Sequence, residues 1–339
     1  MRLLAISLIL ATAWTSTPAR AESRFIVDDD AYADQVVRAA EKLRHEHKLL
    51  AFDTLRSQVH TKGFALKLLP PSQQALQPPD LCDRLRESTL AVGTFYKCPD
   101  CGSWHFSGSA GFVVNESGVV CTCCHVLLEE DAQIKESYLV AADAYGHVFP
   151  VLSVLAADTE ADTCLIRINA TGLRPLPLRA GSRPGETVYC LSHPGGYYFM
   201  FTQGMIARLN RRTNAETDEH GQVKGTQSRP ILLLNITAEF APGSSGAAVV
   251  DVCGNVVGQV ASIGDAGASP EDQPDKPASP SVPIRFCTAT EEILRLLNAN
   301  LAKDSPPGSL VPAKSPKPKL RRVGSRLVCP RPQAKATER

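Results

Sequence analysis

An all-β barrel or sandwich is the fold this sequence predicts, and three observations predict it. Short apolar runs recur between Thr89 and Ile263. Gly, Asn, Asp, Ser and Pro separate them at near-regular spacing. Helical periodicity is confined to the two flanks, which leaves few helices to cover a parallel sheet.

The N-terminus reads as an export signal. Arg2 supplies the positive charge, Leu3 to Ala13 the apolar stretch, and Ala19-Arg20-Ala21 a small-x-small cleavage site. The apolar stretch is too short to span a bilayer as a helix, although a retained anchor is the alternative. No later segment is long and apolar enough to cross, so a soluble mature protein starting near Glu22 is expected, periplasmic or secreted.

Asp28-Asp29-Asp30 can cap and charge a helix start. Val36, Ala40 and Leu43 follow at helical spacing, which predicts one amphipathic helix from about Asp30 to about His60. Its histidines (His45, His47, His60) read as solvated. Leu69-Pro70-Pro71 through Gln77-Pro78-Pro79 reads as a linker. Strands follow at Thr89–Phe95, Gly111–Val114 and Val119–Thr122, the last two joined by the turn Asn115-Glu116-Ser117-Gly118. Further runs at Tyr138–Ala142, Val148–Leu155, Cys164–Ile168, Thr187–Leu191, Gly204–Leu209, Ile231–Ile236, Ala247–Val252 and Val256–Ile263 read the same way. Gly264 to Pro283 reads as a flexible loop. Thr288 to Leu297 reads as a closing helix capped by Thr288 or Thr290.

The 339 residues carry a formal net charge of +1, which calls for no nucleic-acid partner. The balance is uneven: Lys303 to Arg339 holds ten Lys/Arg against two acids. That proline- and lysine-rich tail predicts disorder, and its charge fits contact with an anionic cell-surface polymer. The expected division is a signal at 1–21, a helical extension and Pro-rich linker at 22–80, a β domain at 81–300 and the tail at 301–339.

Chemistry concentrates around Ala241-Pro242-Gly243-Ser244-Ser245-Gly246-Ala247. A tight glycine-flanked loop can expose a serine hydroxyl while nearby N–H groups converge on one spot. A serine needs a base, and the base needs an acid to fix its tautomer. The last histidine is His220, so the base lies upstream of Ser245. His125 is the preferred base, at the end of the strand Val119 to Cys124. His105, in a Gly/Ser-flanked loop, and His193, in a turn, are rivals. Asp162, just before an apolar strand, is the preferred acid, with Asp158 as its rival. Ser244 competes with Ser245 as nucleophile.

These residues resemble a known family. Thr122-Cys123-Cys124-His125 is similar to the Thr-Ala-Ala-His of trypsin-like serine proteases of the bacterial Deg/HtrA branch. Asp162-Thr163-Cys164-Leu165-Ile166 resembles their Asp-Ile-Ala-Leu-Leu, and the serine loop resembles Asn-Pro-Gly-Asn-Ser-Gly-Gly. Gly108-Ser109-Ala110-Gly111-Phe112 and Ser192-His193-Pro194-Gly195 match two further motifs, the latter with His193 where the family has Asn. The resemblance covers roughly Leu85 to Leu297. It implies a double six-stranded β-barrel with peptide-bond hydrolysis in the cleft between barrels. It also implies Ser245 as nucleophile, His125 as base then acid, and Asp162 as its orienting group. The N–H groups of Gly243 and Ser245 would then form the oxyanion hole. Residues just before the serine would line the first pocket, here Glu239 and Phe240. Protein or peptide segments are the implied partners; the chemistry uses no cofactor and no catalytic metal. Only about forty residues follow Leu297, which predicts no PDZ domain of the kind the family usually carries. Ala247 stands where the family has glycine and is expected to narrow the site. A protease-like binding or scaffold protein is the alternative function.

Eleven cysteines in an exported chain predict disulfides, with at least one thiol left over. Cys123, Cys124 and Cys164 read as small buried residues beside the triad. Cys98-Pro99-Asp100-Cys101 reads as a local disulfide or as half of a zinc site with His105 or other cysteines.

Overall fold

A computed structural model describes residues 24–59, 66–128, 132–213, 216–217, 223–224, 229–266 and 282–297. The export signal, His60 and the basic tail lie outside the described residues. No helix among those described is long and apolar enough to cross a membrane.

Helix α1 (Asp29–His45) starts where its sequence says it should. Asp28 caps it by accepting from the Ala31 N–H at 3.0 Å, and Asp29 and Asp30 sit in its first turn. It stops well short of the expected end. His47 takes a left-handed φ of 55°. The N–H of Lys48 donates to Leu43 O and that of His47 to Arg44 O, a Schellman closure with histidine in the position glycine usually fills. The chain resumes as α2 (Phe52–Arg56), so the expected single helix is two. The expected linker also contains a helix, α3 (Pro78–Arg86). Its two prolines occupy the first turn, where a missing N–H costs nothing.

Fourteen strands follow, and twelve of them close two barrels. The first barrel holds β1 (Thr89–Lys97), β2 (Trp104–Asn115), β3 (Val119–Thr122), β4 (Ser137–Ala142), β5 (Val148–Asp158) and β6 (Thr163–Ile168). The one-turn helix α4 (His125–Leu128) sits between β3 and β4. The second barrel holds β7 (Thr187–Ser192), β8 (Met200–Arg212), β11 (Ile231–Ile236), β12 (Ala248–Val250), β13 (Val256–Ala266) and β14 (Val282–Ala289). Two-residue strands β9 (Glu216–Thr217) and β10 (Val223–Lys224) form a separate ladder. Pairing is antiparallel throughout, in the orders β1-β2-β3-β6-β5-β4 and β11-β14-β13-β12-β7-β8. The double six-stranded barrel expected from the sequence is the observed fold. Closure leaves neither sheet with an open edge.

Three boundaries differ from expectation. β2 begins at Trp104, so His105 lies on a strand and not in a loop. The segment expected to be a loop from Gly264 is still strand through Ala266, and β14 begins at Val282. Thr288 therefore belongs to β14, and α5 (Thr290–Leu297) starts two residues later.

Each barrel has its own interior. Leu90, Val92, Val113, Val120 and Ile166 fill the first; Val188, Ile206, Leu234, Val249 and Val257 fill the second. A third cluster runs between them and reaches the flanks. It joins Phe112, Val119 and Leu165 to Tyr189, Ala248 and Val256, and takes in Tyr32 and Val36 of α1, Leu81 and Leu85 of α3, and Ile293 of α5. Each such fully buried aliphatic contributes about 1.5–3 kcal/mol. The N-terminal helices are thus packed into the barrel core.

Candidate functional site

The preferred base and acid meet at the end of the first barrel. β3 stops at Thr122; Cys123 and Cys124 carry the chain round, and His125 opens α4. His125 therefore begins a helix and does not end a strand. Its Nδ1 lies 2.6 Å from Asp162 Oδ2, and its backbone N–H donates to Asp162 Oδ1 at 2.9 Å. The two-point hold fixes both ring and main chain. Asp162 achieves it in a left-handed conformation, φ 53°, which aspartate tolerates better than most residues. Strain of this kind persists where the surroundings impose it. Both side chains stay partly open, at 29% and 21% exposure.

Asp158 is engaged elsewhere. Its carboxylate accepts from the N–H groups of Glu160 and Ala161 and pairs with Arg229, which also holds Glu292 of α5.

The serine loop hangs from the second barrel but is fastened to the first. The Ala110 N–H donates to Ser245 O at 2.8 Å. The Ala110 carbonyl accepts from Thr122 Oγ1 at 2.8 Å, three residues before His125. Gly246 has φ 88°, and a Cβ built there would lie 2.2 Å from Ala110 O. One strand residue thus ties the serine loop to the strand that delivers the histidine.

The two serines differ. Ser244 is fully buried, and its Oγ lies 3.4 Å from the Ala241 N–H. Ser245 is partly exposed. The loop's N–H groups are also ordered. Gly195 N–H donates to Pro242 O at 2.7 Å. A trans peptide aims its C=O and N–H in opposite directions, so Gly243 N–H points away from the Ser192–Gly196 turn. Among the described residues no backbone acceptor takes the N–H of Gly243 or Ser245.

A match to known proteins follows this geometry closely. Residues 108–258, from the middle of β2 into β13, match the family model for the trypsin-like peptidase domain.

That stretch, a little under half of the chain, is similar to a trypsin-like peptidase domain.

The curated proteins it resembles are serine proteases, two of them named as HTRA proteins. Serine protease HTRA2, mitochondrial, of Drosophila persimilis is 27% identical over 154 residues, 45% of this chain and 33% of that protein. Serine protease HTRA1 of Xenopus laevis is 29% identical over 156 residues, 45% of this chain and 30% of that protein. Serine protease PepD of Mycobacterium tuberculosis is 26% identical over 147 residues, 42% and 30% of the two chains. The match thus spans about a third of the length of these relatives. Among solved structures, HtrA-type protease AlgW with decapeptide gives a TM-score of 0.46 at 17% identity, covering 67% of this chain and 68% of that one.

Most of the cysteines pack as small buried residues; Cys82 and Cys253 are partly buried and Cys101 is exposed. None of the ten described cysteines is joined in a disulfide. Cys121, Cys123 and Cys164 are fully buried; burial pushes the first two thiols far above the usual range, and a hydrogen bond with Cys124, then burial, does the same at Cys164, which favours the protonated form. Cys123 Sγ donates to Val260 O and accepts from Gln259 Nε2, both at 3.2 Å. Gln259 Oε1 accepts from Thr163 Oγ1 at 3.2 Å. This buried amide on β13 binds the second barrel to residues flanking both His125 and Asp162. Sequence reasoning missed Gln259, because its role exists only once the barrels meet. It also missed Arg212, half-buried on β8, whose pKa is lowered by burial, an effect the Asp162 carboxylate only partly offsets.

Ala247 is buried in the second barrel's interior, so its methyl group fills core and does not narrow the site. Phe240 packs in the same interior at 5% exposure. The Glu239 side chain is exposed, 3.6 Å from Arg285.

His193 is not beside Asp162 but under the serine loop. Fully buried, it accepts at Nδ1 from the Phe199 N–H at 3.1 Å, and Phe199 packs edge-on against its ring. Its carbonyl would lie 2.5 Å from a Cβ at Gly243. Burial lowers its pKa to about 4 from 6.5. The unfolded chain takes up this proton near pH 6.5 and the folded one only near pH 4. The neutral ring's stabilisation is therefore complete above pH 6.5 and is lost as pH falls towards 4. Unfolding free energy from urea titrations is expected to fall by about 2 kcal/mol more from pH 7 to pH 5 in the wild type than in His193→Asn.

Proposed function

We propose that the chain is a serine endopeptidase that hydrolyses peptide bonds through an acyl-enzyme. The observation that carries this reading is the His125–Asp162 pair, with Ser245 fastened by Ala110 to the strand that leads to it. Asp162 accepts from Nδ1–H, a tautomer that puts the imidazole's basic lone pair on Nε2. His125 Nε2 takes the Ser245 proton as Oγ attacks the carbonyl carbon. The N–H groups of Gly243 and Ser245 hold the oxyanion. His125 then gives the proton to the departing amine, and water, activated by the same nitrogen, releases the acid and restores Ser245.

The substrate class is an unfolded or exposed protein segment. A scissile carbonyl must reach a serine that is itself only partly exposed, and the backbone of a folded substrate is committed to its own hydrogen bonds. Export to the periplasm or outside the cell belongs to the same reading, supported by Arg2, the apolar stretch and Ala19-Arg20-Ala21. So does a role for the basic tail at an anionic cell surface.

Labelling with a fluorophosphonate tests the central claim, because only an activated serine displaces its fluoride. The wild type is expected to label at one site, and Asp162→Asn to label roughly 10³–10⁴-fold more slowly, as the histidine then adopts the wrong tautomer. A folded wild type that does not label would turn the reading to a non-catalytic binding protein.

A further inference from the structure

Away from the serine, the tip of the β1–β2 hairpin gathers three metal-binding side chains. Cys98, Cys101 and His105 bring their ligand atoms within 4.8 Å of one another, and Cys101 Sγ lies 3.0 Å from His105 Nε2. The backbone produces this convergence. Lys97 of β1 pairs with Trp104 of β2, and Tyr96 with His105. Cys98 N–H donates to Ser103 O at 2.9 Å, which extends the ladder by one rung. Side chains two apart on a strand share a face, so Cys98 and His105 emerge on the same side of the hairpin. Gly102, at φ 68°, closes the turn and its N–H donates to Cys98 O at 3.0 Å. That turn brings Cys101 back to the same side.

We propose that Cys98, Cys101 and His105 bind a zinc ion. Two thiolates and one imidazole are borderline-soft donors that suit Zn²⁺ over Ca²⁺ or Mg²⁺, and Cys-x-x-Cys is an established zinc spacing. With Zn–S of about 2.3 Å and Zn–N of about 2.0 Å, tetrahedral ligation sets S and N about 3.5 Å apart. Cys101 is exposed, so the small opening this needs falls on a yielding part of the tip. The fourth position is left for water or an added ligand. Binding releases the protons of the two thiols.

The opposite face of the hairpin suggests what the ion does. There Phe95 stacks on Trp104 at 4.4 Å between ring centres, and Arg44 of α1 lies 4.7 Å over the Trp104 ring. The zinc staples the hairpin end whose other side receives α1. The site is separate from the Cys123, His125 and Asp162 group, where the thiol is already bound to Gln259 and Val260.

The test uses the full chain, purified under reducing conditions without chelator and assayed by elemental mass spectrometry. One zinc per chain is expected. Cobalt added to the metal-free protein should give thiolate-to-metal charge-transfer and strong visible bands. Cys101→Ser and His105→Ala should each lower zinc affinity by more than the roughly 100-fold lost when only an outer-shell partner is removed. His125→Ala should keep both the zinc and the bands. Absence of zinc and of cobalt bands in the reduced wild type would overturn the proposal. So would metal that survives Cys101→Ser but is lost in His125→Ala. A Cys98–Cys101 disulfide in freshly isolated protein that takes up no metal after reduction would also overturn it.

Discussion

Ser245→Ala is expected to lower turnover of an unfolded protein substrate by roughly 10⁴- to 10⁶-fold while leaving the fold intact. Ala still fits the loop, because the interactions that hold it are made by backbone groups: Ser245 O to Ala110 N–H and Gly246 N–H to Val260 O. What disappears is the oxygen that the proposed mechanism has His125 activate. Ser244→Ala is the matched control. Its hydroxyl is fully buried and makes one long hydrogen bond within the loop. Losing it removes about 1 kcal/mol and should change turnover by less than about tenfold. Initial rates on a denatured casein, with circular dichroism of each variant, separate the two. Equal losses in both variants would place the nucleophile elsewhere.

Gly246→Ala has the second large effect, and it acts through structure. The new methyl would sit 2.2 Å from Ala110 O, 2.6 Å from Thr122 Oγ1 and 3.1 Å from Thr122 Cα, at a φ of 88°. Two of those atoms are backbone, so the crowding is relieved only if the serine loop moves off β2. Overpacking and left-handed strain together cost about 3 kcal/mol or more, which lowers Tm by roughly 10 °C in a domain of this size. A displacement of about 1 Å between nucleophile and base costs on the order of 100-fold in rate. Gly172→Ala isolates the strain, since Gly172 has φ 73° and nothing within 4 Å of a built Cβ. It should cost only about 1 kcal/mol and leave turnover unchanged. Comparable Tm losses in the two variants would show that crowding at Gly246 is not the cause.

Most of the barrel was legible because its strands are short, apolar and bounded by turn residues. What escaped was governed by distant partners. β14 reads poorly because Pro283 and Arg285 interrupt it, yet it is held on both sides by β11 and β13. α3 hid behind Pro78-Pro79, which suits a helix start as well as a linker. The long N-terminal helix was overdrawn because nothing local marks His47 as its stop. At the proposed site, Ser245, His125 and Asp162 each stand in a local motif, and the structure brings His125 and Asp162 together. Gln259 carries none: a glutamine among valines has meaning only opposite Cys123 and Thr163 of the other barrel.

The cluster shared by Tyr32, Val36, Leu81, Phe112, Val256 and Ile293 has a consequence for the order in which the molecule can be made. As the chain leaves the ribosome, α1 emerges first and α5 comes after all fourteen strands. Ala40 can pack on Phe95 and Val140 of the first barrel early, but the cluster that holds Tyr32 and Val36 is completed only when Ile293, Leu296 and Leu297 of α5 arrive. Contacts across such a separation form slowly, because a long loop must close before they are rewarded. The shared cluster is therefore the last part of the core to close, after both barrels have been made.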